Sequence, residues 1–247
     1  EVWIWDLRGY LVLPGVMDSG WLAQCNEALD SPFAEANRRP VGLSSSVVGE
    51  YPDYAGCSQL IAPAPGTRCN EERISQTWTH PSPFSDGFRR MIDNPIVNAR
   101  LKWMIDPGFA MTTCYTIVSR DGAAGQHLHG GWFYGAGHTY SFRDGQPRTE
   151  QVNIGWLLQD VETATGDGGL VLVPGSHKAR LPLPRPRQTS CELPQVKHMQ
   201  GVAGTVIMYT GTTTHGVRSW RNPDRERRFV NTKAGPIIRR SAAPPSP

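Results

Sequence analysis

The apolar positions of this 247-residue chain change period along its length, and the change predicts two kinds of structure. Residues 8–13, RGYLVL, read as a strand stopped by Pro14-Gly15. Asp18 or Ser19 then caps a helix that carries Leu22, Cys25 and Leu29 on one stripe and runs to about Asp30. From about 31 to 87 the chain is rich in Pro, Gly and Ser, with APAPGT and HPSPFSDG inside it, and loops are expected there. Phe88, Met91, Ile92, Ile96 and Leu101 recur at helical spacing, which predicts a second helix over 84–105 across Pro95. Beyond it the pattern is that of strands: 110–119 and 152–160 are rich in β-branched and apolar residues, followed by 170–173, 204–210 and 228–233 between turn-forming clusters. Helices first and short strands afterwards predict an α+β, mainly β chain. Its core is a jelly-roll barrel, a double-stranded β-helix flanked by N-terminal helices, in one domain over 1–247 with a frayed tail at about 241–247.

Composition narrows the function classes. Eight Trp, seven Tyr and seven Phe along the chain supply enough bulk for a folded core. Lys and Arg outnumber Asp and Glu by only 25 to 22, too small a surplus to imply a nucleic-acid or membrane-surface partner. No apolar run approaches the roughly 18 residues of a membrane span. The five cysteines are an odd number without regular spacing; a reducing, cytoplasmic setting is the expectation, with Cys57 and Cys69 able to pair only in a secreted protein. No G-x-S-x-G elbow and no glycine-rich phosphate loop occurs, which removes hydrolase and nucleotide-binding readings.

The candidate chemistry lies in GQHLHGGW. On a strand, residues i and i+2 share a face, so His127 and His129 can address one metal ion while His215, in TTTHGVRSW, comes from another strand. Between Arg218 and Arg240 there are eight basic residues and two acids; Arg227 and Arg228 are the candidates to reach inward to an anion. The order of the His motif, DVETATGDGGLVLVPGSHK, AGTVIMYTGTTTHG and the Arg pair resembles the phytanoyl-CoA dioxygenase family of iron(II)- and 2-oxoglutarate-dependent oxygenases over roughly 5–236.

The resemblance implies iron held by a His-x-Asp/Glu pair and one distal His, with dioxygen and 2-oxoglutarate taking the remaining positions. Carried over, His215 is the distal ligand and Arg227 grips the far carboxylate of 2-oxoglutarate through paired charge-assisted hydrogen bonds. Strand alternation does not separate Arg227 from Arg228, since Phe229 and Val230 suit either face; Arg227 is preferred because the family carries the functional arginine first. Gln126 and Tyr115 are further candidates to hydrogen-bond the co-substrate. The proximal motif departs from the family pattern. If His127 is the first ligand, the acid position holds His129 and the site has three histidines; if His129 is first, that position holds Gly131 and the carboxylate is missing. In related oxygenases such a vacancy admits a halide, which is transferred in place of hydroxyl. Asp167 is a second candidate acid, although GDGG reads more naturally as a tight turn. His177 is expected to stabilise its own turn, His138 to lie in a glycine-rich loop, and His80 and His198 to lie on the surface. Only one of Trp156 and Gln159 can line the pocket, because they point to opposite faces. The expected activity is hydroxylation of a small molecule by a monomer or homodimer, with succinate and carbon dioxide released. The alternatives are a halogenase-type variant and a ligand-binding barrel without catalysis. Trp78, Trp132, Phe133 and Tyr134, in the loops 31–87 and 131–150, suggest a partly apolar substrate.

Overall fold

The computed structural model describes residues 1–40, 70–105, 108–123, 125–130, 139–162, 164, 167–181, 183–184 and 193–237. The chain opens with a helix that the apolar pattern did not signal, α1 (Val2–Arg8), closed by Gly9 in the left-handed conformation. β1 (Tyr10–Leu13) follows, and α2 (Ser19–Asp30) starts where Asp18 accepts a hydrogen bond from the Trp21 backbone at 2.7 Å. Its buried stripe is Trp21, Cys25 and Leu29, with Leu22 only half-buried. The expected loop region is not all loop. Ser31 caps a short α3 (Pro32–Asn37), and β2 (Arg39–Pro40) and β3 (Glu71–Ser75) form an edge, while 41–69 lie outside the described residues.

The second helix is corrected to two, α4 (Asp86–Arg89) and α5 (Pro95–Met104). Pro95 lacks an N–H and disfavours helical backbone at the residue before it, so the helix restarts there. Asn94 serves as the new cap and accepts from Val97 N at 3.1 Å.

The strands continue as β4 (Phe109–Ser119), β5 (Gln126–His129), β6 (Tyr140–Arg143), β7 (Gln146–Thr149), β8 (Val152–Leu157), β9 (Gly169–Leu172), β10 (Lys197–His198), β11 (Val206–Thr210), β12 (His215–Arg218) and β13 (Arg227–Pro236). A seven-stranded sheet runs β1-β11-β8-β13-β4-β3-β2, and a four-stranded sheet runs β10-β9-β12-β5; β6 and β7 make a separate hairpin inside the expected loop 131–150, of which 131–138 are not described. All pairings are antiparallel. This is the mainly β jelly-roll with N-terminal helices that the sequence predicted.

The large sheet is covered on both faces. Its even-numbered positions, Ile154, Trp156, Val206, Met208 and Val230 among them, join Trp5, Trp21, Phe88 and Leu101 of the helices in one core. Its odd-numbered positions, Leu157, Ile207, Tyr209 and Phe229, pack with Leu170, Leu172 and Met199 of the small sheet in a second core, the barrel interior. Burying an indole removes roughly 200 Å² from water, about 5 kcal/mol, so Trp156 fixes the phase of β8. Register then carries that phase to β13, where Val230 faces Trp156 and Phe229 faces Leu157. Neither Trp156 nor Gln159 lines the barrel. Trp156 Nε1 donates to Thr232 Oγ1 within the helix-side core, and Gln159 Nε2 donates to Asn26 of α2.

Candidate active site

The two histidines from the middle and last third of the chain meet across one strand pair. In the β12–β5 ladder His215 stands directly opposite His129, and the ring centroids are 4.2 Å apart. His129 Nδ1 donates to the His127 carbonyl and His215 Nδ1 to the Thr213 carbonyl, each at 2.8 Å. With Nδ1 carrying the proton, the neutral ring presents its lone pair at Nε2, the tautomer and ring orientation that a metal ligand requires. Burial pushes the His129 pKa down to about 4, so the ring is neutral near pH 7. Tyr209 closes the other side of His215 with its ring 4.9 Å away.

Gly130 makes this approach possible. Its φ of +89° is one that side-chain-bearing residues rarely adopt, and a Cβ there would lie 2.8 Å from the Thr213 carbonyl and 3.0 Å from His215 Nδ1. The first glycine of LHGG is thus part of the fit between β5 and β12. The His127 ring sits 5.5 Å from that of His129, and among the described residues no group of three or more His, Cys, Asp or Glu is arranged to share a metal ion. Gly131 of the other reading lies outside the described residues.

β13 resolves the arginine pair. Arg227, at an odd position, enters the barrel: it is 2% exposed, its guanidinium lies over Phe229 at 4.4 Å, and its Nη1 is buried without a hydrogen-bond partner. Burial lowers its pKa, opposed by the nearby Glu71, Tyr115 and Tyr209. Gly169 is packed against it, with the position of an absent Cβ 3.3 Å from Arg227 Nε. Gly169, the last glycine of GDGG, therefore makes room for a guanidinium. Arg228 is corrected from a co-substrate candidate to a structural residue. On the opposite face it pairs with Asp30 and with Glu226, the latter at 2.6 Å, and reaches Asn26 of α2. Gln126, at the start of β5, is exposed and stands opposite Val217 across a register shift, so it is corrected from a buried co-substrate contact to a solvent-facing residue. Tyr115 remains on the barrel face, paired in register with Asn231, whose Nδ2 donates to the Tyr115 hydroxyl at 2.6 Å.

The neighbouring motifs hold this site in place. In PGSHK, Ser176 Oγ accepts from Thr214 N at 2.8 Å, one residue before His215. His177 does not serve its own turn; it is buried, donates through Nε2 to the Asp6 carbonyl at 2.9 Å and meets the Tyr140 ring edge to face at 4.5 Å. Gly9 is required beside it, because a Cβ there would lie 2.7 Å from Thr213 Oγ1. Asp167 is not available as a ligand: its carboxylate accepts from Glu162 N, Asn222 Nδ2 and Arg225. His198, expected at the surface, is half-buried and donates to the Gly168 carbonyl at 2.8 Å, with Arg227 and Arg218 near enough to help hold its pKa down beyond the effect of burial. His80 packs its ring against Phe33 and Phe84. His138, Trp132, Phe133, Tyr134, Cys57 and Cys69 lie outside the described residues. Sequence reasoning missed Gly9, Gly130, Gly169 and Ser176; the glycines beside LHGG and within GDGG were the signal.

The same architecture occurs in other solved structures. HygX from Streptomyces hygroscopicus, with nickel, 2-oxoglutarate and hygromycin B bound, superposes with a TM-score of 0.72 at 20% identity, covering 96% of this chain and 86% of that one. The α-ketoglutarate-dependent epimerase SnoN from nogalamycin biosynthesis gives 0.63 at 16% identity, covering 100% and 91%. AviO1 from Streptomyces viridochromogenes Tue57 gives 0.63 at 17%, covering 100% and 96%. A search of curated protein sequences returns no match. Identities this low show the shared fold. The sequence itself goes further, because the family model for phytanoyl-CoA dioxygenase (PhyH) matches residues 5–229. With that match running through both histidine strands and the arginine at the start of β13, the chain belongs to the phytanoyl-CoA dioxygenase family of iron(II)- and 2-oxoglutarate-dependent oxygenases.

Proposed function

We propose that this protein hydroxylates a small molecule, with His129 and His215 as the histidine ligands of iron(II) and Arg227 as the anchor of 2-oxoglutarate. Arg227 is the observation that carries this reading. A buried guanidinium with an orphaned Nη1 is costly unless an anion completes it. Its place fits: Arg218 pairs with Gly169, which packs on Arg227, while His215 pairs with Leu172 three residues along the same strands. Three residues span on the order of 10 Å, a length that a five-carbon diacid bridges with one end on a metal and the other on a guanidinium.

Iron(II) with 2-oxoglutarate and dioxygen supplies the oxidising chemistry when bound, converting the co-substrate to succinate and carbon dioxide. The chain's own part is to hold and to enclose. The two carbonyl-tethered imidazoles would hold the metal in one orientation. Arg227 would fix the co-substrate at its remote carboxylate. Tyr115 and Asn231 offer a polar position between the two ends, and Phe229, Tyr209 and Leu172 keep water from the interior. Two buried free thiols, Cys25 and Cys114, support a reducing compartment such as the cytoplasm.

Calorimetric titration of 2-oxoglutarate into the metal-loaded protein tests the anchor. Arg227→Ala is expected to weaken binding by about 10- to 100-fold, the loss of a charge-assisted pair worth about 1.5–3 kcal/mol. Equal affinities in the two proteins would reject the assignment. Mass spectrometry of the product, formed in chloride buffer, separates hydroxylation from halogen transfer.

A further inference from the structure

The turn that leads into His215 is built from threonines, and Thr210, Thr212, Thr213 and Thr214 are all buried. A hydroxyl taken out of water costs stability unless it is hydrogen-bonded. Thr213 Oγ1 donates to the Gly9 carbonyl at 3.0 Å. With its one proton committed there, it can only accept from Thr210 Oγ1, 3.1 Å away, and Thr210 must in turn accept from Thr212 Oγ1 at 2.7 Å. The three hydroxyls therefore run in one direction and end on the cap of α1. The carbonyls at a helix C-terminus have no partner within the helix, and here the site supplies the donors. His177 Nε2 donates to the Asp6 carbonyl and Gly175 N to the Arg8 carbonyl, each at 2.9 Å, while Gly9 also accepts from Thr210 N at 3.1 Å. One peptide lies between these contacts and the metal site. Its N–H, on Thr214, donates to Ser176 Oγ at 2.8 Å, and its carbonyl, on Thr213, accepts from His215 Nδ1 at 2.8 Å.

We infer that Thr213 is a positioning residue for the metal site: its hydroxyl, tied to the C-terminus of α1, holds the peptide whose carbonyl fixes His215 in the tautomer protonated at Nδ1. This rests on the oxygenase reading above. Ser176 holds the other end of the same peptide, and Ser176 belongs to the turn whose neighbours Gly175 and His177 are bound to α1. The helix thus supports the His215 carbonyl tether from two sides. The tether has little room to drift, because Gly130 of β5 lies against it, with the position of an absent Cβ 2.8 Å from the Thr213 oxygen. Close approach at the other end is built in as well: a Cβ on Gly9 would lie 2.7 Å from Thr213 Oγ1. His129 takes its orientation within β5, from the His127 carbonyl, so the two rings rest on separate supports. Metal–imidazole bonds are about 2.0–2.1 Å long, and a ring turned to the other tautomer places a proton where the lone pair is needed.

Nitrogen-15 NMR of the histidine rings in the metal-free protein, above about pH 8 where imidazoles are neutral, reads the tautomer directly. Wild-type His215 is expected to carry its proton on Nδ1. Thr213→Val, which keeps the shape and removes the hydroxyl, should shift His215 toward the form protonated at Nε2 and leave His129 unchanged. Calorimetric titration of nickel(II) should show affinity lowered about tenfold or more in that variant, the scale on which outer partners of metal-binding histidines act. Thr213→Ser should restore both readouts. Thr212→Val removes the hydroxyl at the far end of the chain, and its tautomer and affinity should match the wild type. A wild-type His215 protonated at Nε2 would overturn the inference without any variant. So would a Thr213→Val protein that matches the wild type in both readouts, or a Thr212→Val protein that loses as much affinity. Should Thr213→Val fail to fold, Ser176→Ala, which releases the other end of the peptide, carries the same expectation and the same refutation. A wild type with the expected tautomer that binds no nickel would strike the oxygenase reading instead, while the tautomer comparison would still report on Thr213.

Discussion

Single residues decide this site mainly through the space they leave. Gly130 is the sharpest case, combining a positive φ with a carbonyl 2.8 Å from where its Cβ would be. Gly15 also has positive φ, +68°, but has nothing within 4 Å of its Cβ position. Gly130→Ala should therefore cost about 1–3 kcal/mol for backbone strain and more for the contact with Thr213, whereas Gly15→Ala should cost the strain alone. Urea denaturation of the two variants reads the difference as a shift in midpoint at constant slope. Equal losses would mean that the close approach of β5 to His215 is not what the glycine serves. Arg227 and Arg228 show the complementary effect: neighbours in sequence, one is buried in the barrel with an unpartnered Nη1 and the other ties β13 to α2. Phe229 and Val230 gave no hint of which was which, since both faces of the central sheet are buried and the strand shows no alternation. The deciding information sat on β8, in the bulk of Trp156.

At the scale of elements, the sequence was legible where propensity and burial agree. β4, β8, β9, β11 and β13 are runs of β-branched and apolar residues, and all stand within a few residues of their expected limits. The hairpin β6–β7 was not legible: β6 is largely exposed and β7 contains Pro147, so neither alternates visibly. α1 was hidden because only Trp5 of its residues is buried. The single long helix across Pro95 was an error of weighting, with apolar spacing allowed to override a proline that ends the run. The restart depends on Asn94, whose side chain satisfies Val97 N. Asn94→Ala should lower stability by about 1 kcal/mol, and Asn94→Asp, which keeps the acceptor, should retain most of it. Thermal unfolding of both variants checks this; an equal loss in both would show that the amide acts through some contact other than the cap.

Across the whole molecule, the protonation of buried histidines links the site to stability. His129 and His177 are both held down to about 4, chiefly by burial, against an unfolded value of about 6.5. Between these values the unfolded chain binds protons that the folded chain does not. Stability is thus fully present above about pH 6.5, falls as pH drops through that window, and the contribution is lost near pH 4. For His177, 4% exposed, the loss is on the order of 3 kcal/mol. Denaturant unfolding of the metal-free protein from pH 7 to 4 should show this decline, and His177→Gln should make it shallower; an unchanged slope would place the titration elsewhere. The candidate histidine strands and the jelly-roll were visible in the sequence, the first as a His-x-His pair on one short strand and the second as a run of short strands after the helices. Which arginine faces the barrel was not, since it depends on register carried across from β8.

The proposed coordination of one iron by His129 and His215 is the central claim, and diffraction at the iron edge from crystals grown anaerobically with iron(II) and 2-oxoglutarate tests it most directly. One anomalous peak is expected at roughly 2.0–2.2 Å from Nε2 of both rings. A peak that touches only one of the two, or lies away from both, would contradict it.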